Sequence, residues 1–300
     1  MKRMAGLRAI TISLLAAIPI LAQAPPSFPP QQLDSLVARV ALYPDPLLAQ
    51  VLAAATFSDQ IPDAARWSDQ HHYLTGDALA RDIQEDQLPW DPSVQALLPF
   101  PSVLAMMASD LNWTRDLGDA FLAQNADVMD AVQRMRRQAR DFGYLRSNGQ
   151  IVVSGGPYIE IAPVNPAVIY VPYYDPLIVY SRPRPGFVIG RGVTFSFGIS
   201  IGPAFRPWGW GGNRFVWNTH TVIINNGEWR RGWVNRNTYV HPYTIRRPGP
   251  PPPRFEERHE VRERDARERA AEHDRRRVED HRREERNEEH RRDDRRGDRR

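Results

Sequence analysis

The sequence predicts an α+β protein: a multi-helix N-terminal domain, then a Gly- and aromatic-rich region of short antiparallel strands, then a charged tail that is partly helical or disordered. Three observations carry this expectation. Apolar residues recur at helical spacing through the first half of the 300-residue chain. The period falls to two from Ile151 onward. Beyond the run Pro250-Pro251-Pro252-Pro253 apolar side chains almost vanish. The expected organisation is a leader over residues 1–24, a proline-rich stretch at 25–32, a helical domain at 33–145 and a β-rich region at 150–247. A proline linker at 248–253 and an Arg/Glu/Asp-rich tail at 254–300 complete it.

Residues 1–24 have the layout of a secretory signal. Lys2, Arg3 and Arg8 form a positive start, and residues 9–21 form an apolar stretch too short to cross a bilayer comfortably. Ala22-Gln23-Ala24 is a small-residue cleavage site placed directly before Pro25-Pro26. Export is therefore expected, with Pro25 as the first mature residue. Retention of the segment as an anchor is the alternative. The chain contains no cysteine, which excludes disulfides, thiol catalysis and Cys-based metal sites.

The helical part is organised around residues 33–67. Leu33, Leu36, Val37 and Val40 share one helix face, and Leu48, Val51, Leu52 and Ala55 repeat the spacing after the turn Tyr43-Pro44-Asp45-Pro46. Pro46 biases Asp45 toward an extended backbone, so Asp45 is expected as the N-cap of the second helix with Pro46 at its first position. Ala53-Ala54-Ala55 keep that helix thin. Pro62 and Asp63 open a third helix, Ala78, Leu79 and Ile83 mark a fourth, and Trp90-Asp91-Pro92 starts a short fifth with Val94, Leu97 and Leu98. Phe100-Pro101 leads into a helix through Met107. A last helix is expected from Asn125 to Phe142, capped by Asn125 and ended by Gly143. Its buried stripe is Val128, Val132, Met135 and Ala139, and Arg136, Arg137 and Arg140 crowd the end where the macrodipole favours cations.

The strands are expected at 151–153, 158–161, 168–171, 194–201 and 221–224, all short because prolines bracket them. Asn225-Asn226-Gly227 signals a hairpin into Glu228-Trp229-Arg230. Tyr174-Asp175-Pro176 uses the aromatic–Asp–Pro device a third time. Trp208, Trp210 and Trp217 sit among glycines. They suit either the core of a small sheet, the favoured expectation, or an exposed platform for sugar rings or a membrane interface. Tyr180, Arg182, Arg184, Arg191, Arg206, Arg214, Arg230, Arg231 and Arg236 are expected to form a cationic rim.

Two stretches resemble a known family. The run around Tyr43-Pro44-Asp45-Pro46-Leu47-Leu48-Ala49-Gln50 and the run Ile161-Ala162-Pro163-Val164-Asn165-Pro166, continuing to Val171-Pro172-Tyr173-Tyr174-Asp175-Pro176, are similar to the signatures of domain of unknown function family 3300. The resemblance covers roughly residues 30–180. It implies a signal-bearing bacterial envelope protein with a variable low-complexity C-terminus, and it brings no established activity, cofactor or catalytic residue.

Catalytic, cofactor-binding and metal-ligating residues are expected to be none. Asp45, Asp91 and Asp175 each precede or follow proline, where capping accounts for them without chemistry. His71-His72 are adjacent on a helix and diverge by about 100°, so they do not share a ligand. Gly190-Arg191-Gly192 lacks the rest of a dinucleotide fingerprint, since Phe195 stands at the place of the last glycine. The tail places 18 Arg against 17 Asp and Glu, leaving one net positive charge. Such balance disfavours a nucleic-acid arm, and the scarcity of apolar residues disfavours a core. Membrane association without a transmembrane helix after cleavage is compatible with this pattern. The function expected is an exported, non-catalytic envelope scaffold or binding protein. It would meet a protein or envelope polymer through the tail and the aromatic/Arg-rich β region. The alternative is an exported hydrolase of cell-wall or extracellular polymer acting through unidentified acidic residues.

Overall fold

A computed structural model describes residues 24–183 and 192–236. The leader through residue 23, Arg184, Arg191, the linker and the tail lie outside these residues. The described part is α+β, with helices in the first half and small antiparallel sheets in the second.

The first helix, α1 (Pro30–Val37), buries Leu33, Leu36 and Val37, as their spacing demands. Residues 38–43 then continue in turns, so buried Val40 lies beyond the helix. α2 (Asp45–Ala55) is the central rod: of its residues only Pro46 is not buried. α3 (Ile61–Gln70), α4 (Gly76–Glu85), α5 (Pro92–Gln95) and α6 (Pro101–Ser109) follow the expected order. α7 (Leu111–Ala123) was not among the sequence expectations, although Asp110 accepts a hydrogen bond from Trp113 N at 3.0 Å and caps it. α7 packs on α2, where any side chain at Gly118 would collide with the Ala55 carbonyl. The alanines at the end of α2 thus permit a near backbone contact. α8 (Asn125–Asp141) packs against α1 and α7.

Two capping expectations are corrected. Asn125 lies inside α8 rather than capping it, and Gln124 holds the cap position without a side-chain hydrogen bond. Gln124 instead clamps the Phe28 backbone, accepting from its N–H at 2.7 Å. Asp45 lies inside α2, whose cap position belongs to Pro44 with φ −53 and ψ 140, and Pro46 is the second helical residue. At the other end of α8, Gly143 has φ +80, the left-handed conformation expected after a helix.

The β region opens with the hairpin β1 (Ile151–Ser154) and β2 (Glu160–Pro163), paired Ile151 with Pro163. The strand expected over 168–171 shortens to β3 (Val168–Ile169); β4 (Pro172–Tyr174), which was not expected, follows it, and then the helical turn α9 (Pro176–Val179). The clean alternation of 194–201 also breaks, into β5 (Val193–Phe195) and β6 (Ile199–Ser200). β5 pairs with β4 with Pro172 opposite Phe195, whereas β6 pairs with β3 with Val168 opposite Ser200. The two registers differ by one residue, as across a β-bulge. Ser196 occupies the corner: its N donates to Val171 O at 2.9 Å and its Oγ accepts from Val171 N at 3.0 Å. Phe197 is thrown outward, 97% exposed.

A 3-10 turn (Pro203–Trp208) leads to the three-stranded sheet of β7 (Arg214–Val216), β8 (Thr221–Ile224) and β9 (Gly227–Glu228). β7 was not expected. The hairpin between β8 and β9 was, and Asn225 and Asn226 take φ +53 and +62 there. β7, β8 and β2 all pack on α2.

Candidate functional site

Three aromatic–Asp–Pro turns were legible in the sequence, and the structure gives each a different duty. The most buried is at Asp45. The stripe of α8 includes one more residue than expected: Arg136, which follows Val132 by four and Val128 by eight, is fully buried. This corrects its assignment to the cationic end of the helix that faces the macrodipole. An arginine without water must satisfy its five N–H donors internally. Nε donates to Ala41 O at 2.8 Å, Nη2 to Tyr43 O at 3.0 Å and Nη1 to Ile159 O at 2.8 Å. Nη1 also lies 2.7 Å from Asp45 Oδ1. The guanidinium stands over the Trp217 ring, 5.0 Å from its centre.

Asp45 accounts for its oxygens in the same way. Trp217 Nε1 donates to Oδ2 at 3.2 Å, and Ile161 N approaches Oδ1 at 3.4 Å. Burial pushes the carboxyl above the ordinary carboxylate range, and the Arg136 charge is the chief influence pulling it back. The turn therefore supplies a buried counter-ion instead of a cap. Around this pair meet the helix start at Asp45, the turn carbonyls of Ala41 and Tyr43, the β2 approach at Ile159 and Ile161, and Trp217 after β7.

The second signature closes on the first a few residues away. Leu42 N donates to the Tyr174 hydroxyl at 3.3 Å, and the Tyr180 hydroxyl donates to Ala38 O at 3.1 Å. Tyr174 and Tyr180 meet edge to face. Burial raises the pKa of Tyr43, Tyr174 and Tyr180 above the usual phenol value. Tyr180 is thus a buried anchor, which corrects its place in the cationic rim. Gln50, the last residue of the first signature, is fully buried and donates from Nε2 to Gly209 O at 2.9 Å.

Asp91 does cap α5: Oδ1 accepts from Ser93 N at 2.9 Å, and Oδ2 pairs with Arg231 at 2.7 Å. Arg231 lies between the rings of Phe57 and Trp229, about 5 Å from each centre. Asp175 caps α9 through Leu177 N at 2.8 Å. His71 and His72 turn Nδ1 toward the Trp67 and Asp69 carbonyls at 2.8 and 2.5 Å, ending α3. Among the described residues no group of three or more His, Cys, Asp or Glu is arranged to hold a metal.

Trp208 and Trp217 are buried and Trp210 half-buried, its Nε1 donating to Ala96 O at 2.9 Å, so these three rings fill the core. Of the expected rim, Arg182, Arg206, Arg214 and Arg230 are exposed. Arg231 is spent on Asp91, and Arg236 stacks on Trp233 at 3.6 Å. Arg136 is the residue missed in the sequence. Its signal was present, a cation falling on the apolar stripe at i+4 and i+8, but Arg137 and Arg140 beside it suited an exposed helix end equally well.

Taken together, the arrangement defines an α+β scaffold whose aromatic–Asp–Pro turns tie a helical layer to a β region through buried polar contacts. The chain belongs to the family described as protein of unknown function (DUF3300), whose model matches residues 29–243. A similar protein is the uncharacterized protein YacH of Escherichia coli (strain K12), 35% identical over an alignment covering 58% of this chain and 34% of the relative. The aligned region thus spans about a third of that relative's length. No solved structure matches.

Proposed function

We propose that this protein is an exported, non-catalytic component of the cell envelope, a scaffold or binding module that meets a protein or envelope polymer through its aromatic/Arg-rich β region and charged tail. One observation carries the non-catalytic part. Each aromatic–Asp–Pro carboxylate is already engaged: Asp45 with Arg136 and Trp217, Asp91 with Ser93 and Arg231, Asp175 with Leu177 N. A hydrolase needs carboxylates converging on a substrate with their pKa values pushed apart. Carboxylates that hold the fold together have a structural reason to stand where they do, and the signatures they belong to then describe a frame for recognition.

The leader motivates the export part. Ala24 and Pro25 are exposed ahead of α1, which begins at Pro30. Mass spectrometry of protein recovered from the envelope fraction should find Pro25 as the first residue. Full-length protein beginning at Met1, held in the cytoplasm or inner membrane, would overturn the proposal.

A further inference from the structure

An open groove of 730 Å³ lies where the C-terminal end of α7 meets the β8–β9 hairpin and the segment after it. Trp229, Trp233, His220, Thr219 and Asn125 contribute to its wall. Resting on the binding role proposed above, we infer that this groove takes a hydroxyl-rich, uncharged polysaccharide strand.

The first ground is the aromatic wall. The Trp233 main chain is tied to α7, its backbone N–H donating to Leu122 O at 2.8 Å, and the Arg236 guanidinium lies 3.6 Å from its ring centre. An indole backed in this way by a cation is a preorganised plane, suited to the C–H face of a pyranose ring. Trp229, in contact with Phe121 and the Arg231 guanidinium, adds a second indole to the same wall.

The second ground is His220. It holds φ +51, the left-handed region that non-glycine residues seldom adopt. Its Nε2 lies 2.9 Å from Asp130 Oδ1, which leaves Nδ1 without a hydrogen-bond partner among the described residues. A ring held by a carboxylate on one nitrogen presents the other as a fixed polar group at the groove.

Charge decides between a neutral and an anionic strand. The two arginines that line the groove are matched: Arg230 by Glu228 at 3.0 Å and Arg231 by Asp91 at 2.7 Å. Asp130 adds a carboxylate behind His220. A polyanion would have to displace these partners, whereas a neutral polysaccharide leaves them in place.

The test is retention of the purified mature chain (residues 25–300) on cellulose, chitin and cross-linked dextran, with heparin resin as the polyanion, each at low and high salt. Retention on at least one of the three hydroxyl-rich polymers is expected, and it should persist at high salt because the contacts are not chiefly ionic. Trp233→Ala and His220→Gly should each weaken it about fivefold to tenfold. Glycine accepts φ +51 without strain, so His220→Gly removes the ring and keeps the turn, and its thermal midpoint should match the parent. Retention confined to heparin and lost at high salt would overturn the inference, as would no retention on any polymer or retention indifferent to both substitutions. Localisation of the chain inside the cell would overturn the export proposal while leaving this binding result to stand or fall separately.

Discussion

A guanidinium with no exposed surface stays charged, so the surroundings of Arg136 must neutralise it and occupy its donors. Asp45 supplies the charge, and the carbonyls of Ala41, Tyr43 and Ile159 supply acceptors. Removing one ion strands the other. Asp45→Asn should therefore cost about 3–5 kcal/mol, well beyond the ~1 kcal/mol of a lost helix cap. Arg136→Met should cost a similar amount by leaving Asp45 alone. The double variant should be more stable than the two losses added together, because neither buried charge then remains unpaired. Asp175→Ala, which removes only a cap, should stay within about 0.5–2 kcal/mol. Urea unfolding measures all four. An Asp45→Asn loss no larger than that of Asp175→Ala would mean that the pair is not the hub the distances imply. At this scale the sequence was only half legible. Proline beside Asp45, Asp91 and Asp175 announced turns, and two of the three are caps. Which aspartate would point inward depended on an arginine 91 positions away, and no local rule encodes that.

The two signatures each read as a local device, a helix start and a proline-bracketed strand run, yet the second exists to close over the first. Tyr174, the last residue of β4, and Tyr180, just after α9, reach back to Leu42 and Ala38. Together with Tyr43 they form a set of buried phenols whose ionisation the fold resists. The sign follows directly. In the unfolded chain these tyrosines lose protons near pH 10, whereas in the folded protein they keep them to higher pH. Their contribution is whole below that value and is lost as pH rises through it, so stability should fall with increasing slope above about pH 10. Tyr174→Phe should flatten that slope while removing the hydroxyl's contacts with Leu42 N and the Tyr180 side chain. A stability profile identical for parent and variant between about pH 9 and 11 would show that the phenol is not buried in solution. Element types were legible where periodicity ran long, as in α2 and α8. Legibility failed where tertiary pairing overrode it. The alternating run at 194–201 breaks because β4 and β3 offer partners one residue out of step, and β7 has only three residues whose pairing with β8 makes them a strand.

At the scale of the whole molecule, the change of period near residue 150 invites a division into a helical domain and a β domain, but the polar core straddles that point. Asp45 and Arg136 lie before it, while Ile159, Ile161 and Trp217 lie after it. The Gln50 side chain, at the centre of the buried rod α2, donates across the divide to Gly209. Asp91 likewise depends on Arg231. A fragment of residues 25–146 would keep every helix from α1 to α8 and yet expose the faces of α2 that β2, β7 and β8 cover. It would also strip the Arg136 guanidinium of the Ile159 carbonyl and the Trp217 ring. Its helices should form in part from local propensity, but fixed packing should be lost, giving a compact state with helical far-UV circular dichroism, weak near-UV signal and a broad thermal transition. A fragment of residues 25–243, matching the extent of the family model, retains both sides of each contact and should unfold in a single sharp transition. Should the shorter fragment melt as sharply as the longer one, with native near-UV signal, the buried polar ties would be accessory and the helical layer a domain in its own right.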